Sequence, residues 1–105
     1  MESNLTMIER KIAAAILAGL FVSPSFAYTG QELAGRAKIT IAQAERIALK
    51  ARAGTVTDRE LEKERGGSGL RYSFDIRSGG KTYEVGVDAK TGKVLESAAE
   101  GPNPD

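Results

Sequence analysis

The stretch Leu70 to Ser97, "LRYSFDIRSGGKTYEVGVDAKTGKVLES", decides the fold. Leu70, Tyr72, Phe74 and Ile76 alternate with Arg71, Ser73, Asp75 and Arg77. After Gly79-Gly80, Tyr83, Val85 and Val87 alternate with Thr82, Glu84, Gly86 and Asp88. Period-two alternation on both sides of a two-residue glycine turn predicts a β-hairpin. Closing it at Ser78 and Lys81 sets Ile76 opposite Tyr83, Phe74 opposite Val85 and Tyr72 opposite Val87, so a single register gathers the large apolar side chains on one face. The same register sets Asp75 opposite Glu84 and Asp88 opposite Arg71 on the polar face.

The hairpin then accounts for the segment after it. Asp88 ends the second strand and caps a turn with its own side chain, Gly92 takes the positive-φ position, and Lys93 to Glu96 returns as a short further strand. Residues 98–105, "AAEGPNPD", show no apolar pattern and two prolines, and are expected to form a disordered tail.

Upstream, "ITIAQAERIALKARAG" predicts a helix. Thr40 with Gln43 three residues on is a capping-box pattern, and Ile41, Ala44, Ile47, Ala48 and Ala51 recur at helical spacing, with Glu45, Arg46, Lys50 and Arg52 mostly on the other side. The stretch between helix and hairpin, "TVTDRELEKERGGSG", is ambiguous. Its Glu60 to Glu64 run favours a helix by propensity, yet Leu61 is the single large apolar residue such a short helix would have for docking. As a charged edge strand it would need a bulge, because Val56 and Leu61 are an odd number of residues apart. One apolar helix stripe and one apolar sheet face predict an α+β domain in two layers, an N-terminal helix on an antiparallel sheet of three to four strands.

The N-terminus reads differently. Arg10 and Lys11 precede an unbroken apolar run from Ile12 to Val22, followed by Pro24 and a small-x-small site at Ser25 and Ala27. The run fits the roughly 7 to 15 residues of a signal-peptide core and falls short of the ~20 of a spanning helix. Residues 1–27 are therefore expected to be a signal peptide cleaved after Ala27, placing the mature protein in the periplasm or outside the cell, with no membrane segment left. Glu2 and Glu9 offset the two basic residues, and a start at Met7 in place of Met1 would remove Glu2. Residues 28–38 have no sustained apolar period and are expected to be a flexible leader, leaving 39–97 as the domain.

Composition removes whole classes of chemistry. The chain has no Cys and no His, which excludes thiolate catalysis, Ser-His and Cys-His pairs and most transition-metal sites. The 15 Lys+Arg nearly balance the 14 Asp+Glu, for a net charge of +1, so no field is available to collect nucleic acid. "GGSG" at Gly66 to Gly69 lacks both the spacing and the following helix of a phosphate-binding loop. No catalytic residue, metal ligand set or cofactor is expected. The polar sheet face remains as a candidate binding surface, with Arg71, Asp75, Arg77, Glu84 and Asp88 on it. The like-charged pair Asp75 and Glu84 is its one odd feature, and Arg77, diagonal to Glu84, is expected to neutralise it.

Several motifs together resemble the PepSY family of small extracytoplasmic domains: Ile-Thr-Ile-x-x-Ala at Ile39 to Ala44, Ala48 and Leu49 in the helix, Gly54 and Val56 after it, Glu60-Leu61-Glu62, and above all "YEVGVDAKTGKVL" from Tyr83 to Leu95. The resemblance covers nearly all of the expected mature domain. It implies a helix packed on a small antiparallel sheet and makes Val56 to Glu64 a strand. It also implies a non-enzymatic module, since such domains occur in propeptides of thermolysin-type proteases, so a peptidase or another envelope protein is the expected partner. A ligand- or cation-sensing envelope protein, with Asp75 and Glu84 as hard oxygen ligands, is the alternative.

Overall fold

In the computed structural model the described residues run from 27 to 101; the expected signal peptide lies outside them, apart from Ala27. A 3-10 helix, Gln31–Arg36, is followed by helix α1, Ile41–Ala51, and four strands: β1 (Thr55–Lys63), β2 (Leu70–Ser78), β3 (Lys81–Asp88) and β4 (Val94–Ala99). The strands form one antiparallel sheet in chain order, β1-β2-β3-β4. Helix α1 packs on one face of it, giving the expected two-layer α+β domain.

The helix begins where the capping pattern places it. The Thr40 hydroxyl accepts from the Gln43 amide at 3.0 Å while the Gln43 side chain accepts from the Thr40 amide at 2.8 Å, so two amides that the first turn would leave unpaired are satisfied. Ala44 and Ala48 are fully buried against the sheet, with Ile41, Ile47 and Leu49 partly buried beside them. Two alanines at the centre of the contact let α1 sit close to the strands. Ala51, expected in the same stripe, is exposed at the helix end.

The hairpin register is as the alternation requires. Ser78 pairs with Lys81, Ile76 with Tyr83, Phe74 with Val85 and Tyr72 with Val87. Phe74, Ile76, Val85 and Val87 are fully buried, with Tyr72 stacked on Phe74 at 6.4 Å between ring centroids. Burying a side chain of this size removes it from water for about 1.5–3 kcal/mol, so these residues are the main source of cohesion. The Tyr72 hydroxyl donates to the Ile39 carbonyl at 2.9 Å, pinning the entry to α1, and burial pushes its pKa up to about 12.

Residues 55–63 form a strand, against local helix propensity. Leu61 reaches full burial opposite Tyr72, Val56 packs opposite Ile76, and the register shifts between Val56 and Asp58. That bulge is what the odd spacing of Val56 and Leu61 demands. Arg59, also on the helix side, makes a two-pronged ion pair with Glu45 of α1, at 2.7 and 3.1 Å. Local propensity loses because a lone helix here would have had nothing but Leu61 to bury.

The ends of the domain differ from the sequence expectation. The segment 28–38 is folded: Thr29 bridges in parallel to Glu60, its carbonyl accepts from the Leu61 amide at 2.8 Å, and Tyr28, Leu33 and Ala37 pack against the core. Gly30 makes the approach possible, since a Cβ there would collide with the Leu61 carbonyl, and its φ of 86° is left-handed. At the other end β4 continues through Ala98 and Ala99, and the Glu100 amide donates to the Thr82 carbonyl at 2.9 Å. Residues 98–100 are thus tied to the sheet; the rest of the expected tail, residues 102–105, lies outside the described part.

Candidate functional site

With α1 on one side, the other side of the sheet is open, and cross-strand pairing fixes what it displays. Asp58 pairs with Asp75, Asp75 with Glu84, and Glu84 with Ala98. Three carboxylates thus stand in one row across β1, β2 and β3, ending at a small residue on β4. The adjoining row is Glu60, Ser73, Gly86 and Glu96, and beyond it Glu62, Arg71 and Asp88.

The row is electrostatically uneasy. Burial raises the pKa of Asp75, with the charges of Glu100 and Asp58 adding to it; burial also raises that of Glu84, with Glu96, Asp75 and Glu100 adding. Glu62 is raised as well, chiefly by burial, although the Ser73 hydroxyl donates to it at 2.9 Å and opposes the rise. The expected neutraliser does not serve: Arg77 is exposed, pairs with Thr55 and Thr82, and among the described residues makes no ion pair with Asp75 or Glu84.

Arg71 and Asp88 belong to a different arrangement. The loop between β1 and β2 folds back over them. Asp88 is 1% exposed; its carboxylate accepts from the amides of Ser68 (2.6 Å), Lys90 (2.8 Å) and Thr91 (3.0 Å) and from the Ser68 hydroxyl (2.8 Å). Burial would push this carboxyl up, but those donors outweigh it and hold the pKa down at about 2. One side chain therefore clasps two loops, the β1–β2 loop at Ser68 and the turn closed by Gly92 with its positive φ of 81°. Arg71 lies across Gly86, where a Cβ would meet its Cδ at 3.0 Å, and reaches Glu96 at 3.3 Å, Glu64 at 3.6 Å and the Arg65 carbonyl at 3.2 Å. Both residues, expected on a binding surface, are instead internal supports.

Of the five candidate residues, then, Asp75 and Glu84 stand together on the open face, Arg77 stands apart, and Arg71 and Asp88 are enclosed. The sequence reading missed Asp58, Glu60, Glu62, Glu96 and Glu100 as neighbours of the acidic row. Alternation along β1 was the available signal, but the bulge hides its phase. No three Asp or Glu side chains among the described residues gather as a set that would hold a metal ion.

A family model described as "Peptidase propeptide and YPEB domain", PepSY, matches residues 38–98, which spans the helix, β1 to β3, β4 but for its last residue, and the acidic row. The chain belongs to the PepSY family. No curated protein and no solved structure matches it. The match starts at Lys38, so in this PepSY domain the 3-10 helix and the Thr29 bridge lie before the matched residues.

Proposed function

We propose that this PepSY domain is a non-enzymatic, extracytoplasmic interaction module that restrains a peptidase, with the open acidic face as its contact surface. The observation that carries this reading is the like-charged row Asp58, Asp75 and Glu84, at the end of the sheet face that neither α1 nor the β1–β2 loop covers. Like charges directly opposite one another cost stability, and a partner bringing cations there would recover it. The family supports the choice of partner, being named for peptidase propeptides. An extracytoplasmic site is drawn from the signal-peptide pattern, and no helix among the described residues is long and apolar enough to cross a membrane.

The test uses the protein purified as its cell processes it, immobilised and exposed to the native envelope fraction. Recovery of a peptidase whose activity falls when the domain is added, and recovers when Asp75 and Glu84 are both replaced by Lys, is the expected result. Inhibition unchanged by that double replacement would remove the acidic face from the mechanism. The cation-sensing alternative uses the same carboxylates, but no observation of the geometry favours it over the protein partner.

A further inference from the structure

The acidic row runs out at β4, and β4 is an open edge. The Glu100 amide donates inward to Thr82, so antiparallel alternation turns the backbone N–H and C=O of Ala99 and Ser97 outward. Nothing among the described residues pairs with them. The opposite edge is unlike it. The β1 edge carries Asp58, Arg59, Glu60, Glu62 and Lys63, and its outward Leu61 amide is already taken by Thr29. Charged side chains and a covering segment are the usual protections of a sheet edge; the end of β4, Ser97-Ala98-Ala99, has neither.

We infer that β4 accepts an extended peptide segment as a fifth strand, and that the segment it selects carries an Arg or Lys opposite Ala98. Cross-strand neighbours share a face, so that residue lies on the open face, between the diagonally placed Glu96 and Glu100. Because Ala98 is short, the cation passes over it toward Glu84, about two strand spacings or roughly 10 Å away, and extends the Asp58–Asp75–Glu84 row with its counter-charge. Residues of the segment on either side point to the helix face beside exposed Ser97 and Ala99, where small or β-branched side chains fit. Backbone pairing supplies the affinity and the cation the selection. This rests on the interaction-module reading and names the chemistry of the partner.

The test is titration of the purified protein with the peptide Thr-Arg-Val-Arg-Thr-Arg-Val, followed by amide hydrogen exchange. Expected are saturable binding at least about tenfold tighter than that of the same peptide with Glu for Arg, and new protection at Ser97 and Ala99. Ser97→Pro removes an outward donor at an edge position where Pro is tolerated, and Ala98→Lys places a cation in the path; each should weaken binding by roughly tenfold. Circular dichroism of both variants establishes that they fold, and where Ser97→Pro does not, N-methylation of alternate peptide amides supplies the same block. Equal binding of the Arg and Glu peptides, protection appearing at β1 instead, or no binding would each overturn the inference. Peptide capture at β4 without peptidase restraint would uphold it and sink the peptidase reading; restraint without peptide capture would do the reverse.

Discussion

The open face of the sheet has two ends built from the same kinds of residue. At one end Arg71 and Asp88 are enclosed by the β1–β2 loop, and the Asp88 carboxylate accepts four hydrogen bonds aimed at its charge. At the other, Asp58, Asp75 and Glu84 stand in line with no cation among them. Position in the alternation does not separate the two ends; backbone does. A buried charge is tolerated where amides converge on it, and those amides come from loops brought in from residues 68, 90 and 91. The enclosed end thereby serves stability, and the bare end is the contact surface we propose.

The largest test of that contrast is Asp88→Ala. It takes the acceptor from four donors on the exposed residues Ser68, Lys90 and Thr91, which rehydrate in part, and unlatches both loops, at a cost of about 1–3 kcal/mol. Urea denaturation should show that cost; a loss under about 1 kcal/mol would mean the loops hold without their clasp. Arg71→Met keeps much of the aliphatic packing over Gly86 and releases Glu64 and Glu96, which are half exposed and rehydrate. A loss of about 1–2 kcal/mol is expected.

Acid should act on the two ends in opposite directions. Asp75 and Glu84 have folded pKa values above their ordinary ones, so in that window the folded state holds more protons than the unfolded, and stability rises as pH falls through it. Asp88, held at about 2 against an ordinary 3.8, contributes stability that is present above 3.8 and lost as pH falls toward 2. Melting temperature against pH should therefore pass through a maximum on the acid side of neutrality. In the double variant Asp75→Asn, Glu84→Gln the rise should flatten while the low-pH fall remains; a rise that persists would assign it to other groups.

Glu84→Gln alone is the smallest structural change. It relieves the repulsion from Asp75 opposite and from Glu96 and Glu100 nearby, and should stabilise by roughly 0.2–1 kcal/mol at neutral pH, where a destabilisation would mean the row is better neutralised than its geometry indicates. Smaller still is the response to millimolar Ca²⁺ or Mg²⁺, for which no change in melting temperature is expected; any bound ion must raise it, and a clear rise would reinstate the cation-sensing alternative.

Much of this architecture is legible in the chain. The hairpin register can be read from Tyr72, Phe74, Ile76, Tyr83, Val85 and Val87, because a one-residue slip would put aromatic or branched side chains on the wet face, together with the two-residue Gly79-Gly80 turn, which rejects a two-residue slip. The capping box is written locally in Thr40 and Gln43, and the Val56–Leu61 spacing announces a bulge. Other features are not local. The docking of residues 28–38 rests on Tyr28, Leu33 and Ala37 reaching the core separately, with no period to reveal them, and on Gly30 allowing one close approach. The enclosed state of Asp88 depends on Ser68, twenty residues away in sequence, so alternation placed it on the polar face without foretelling the loop above it. Likewise the acidic row needed Asp58, whose phase is set by the bulge.

The order of the strands in the sheet bears on how the domain forms. Since β1, β2, β3 and β4 pair in the order in which they occur, each pairing closes a short loop, and none waits for a distant segment to arrive. Low sequence separation between contacts favours rapid folding, and with no cysteine to oxidise no disulfide step can delay it. A chain that appears N-terminus first would then acquire its sheet strand by strand, with β4, the strand left open, added last.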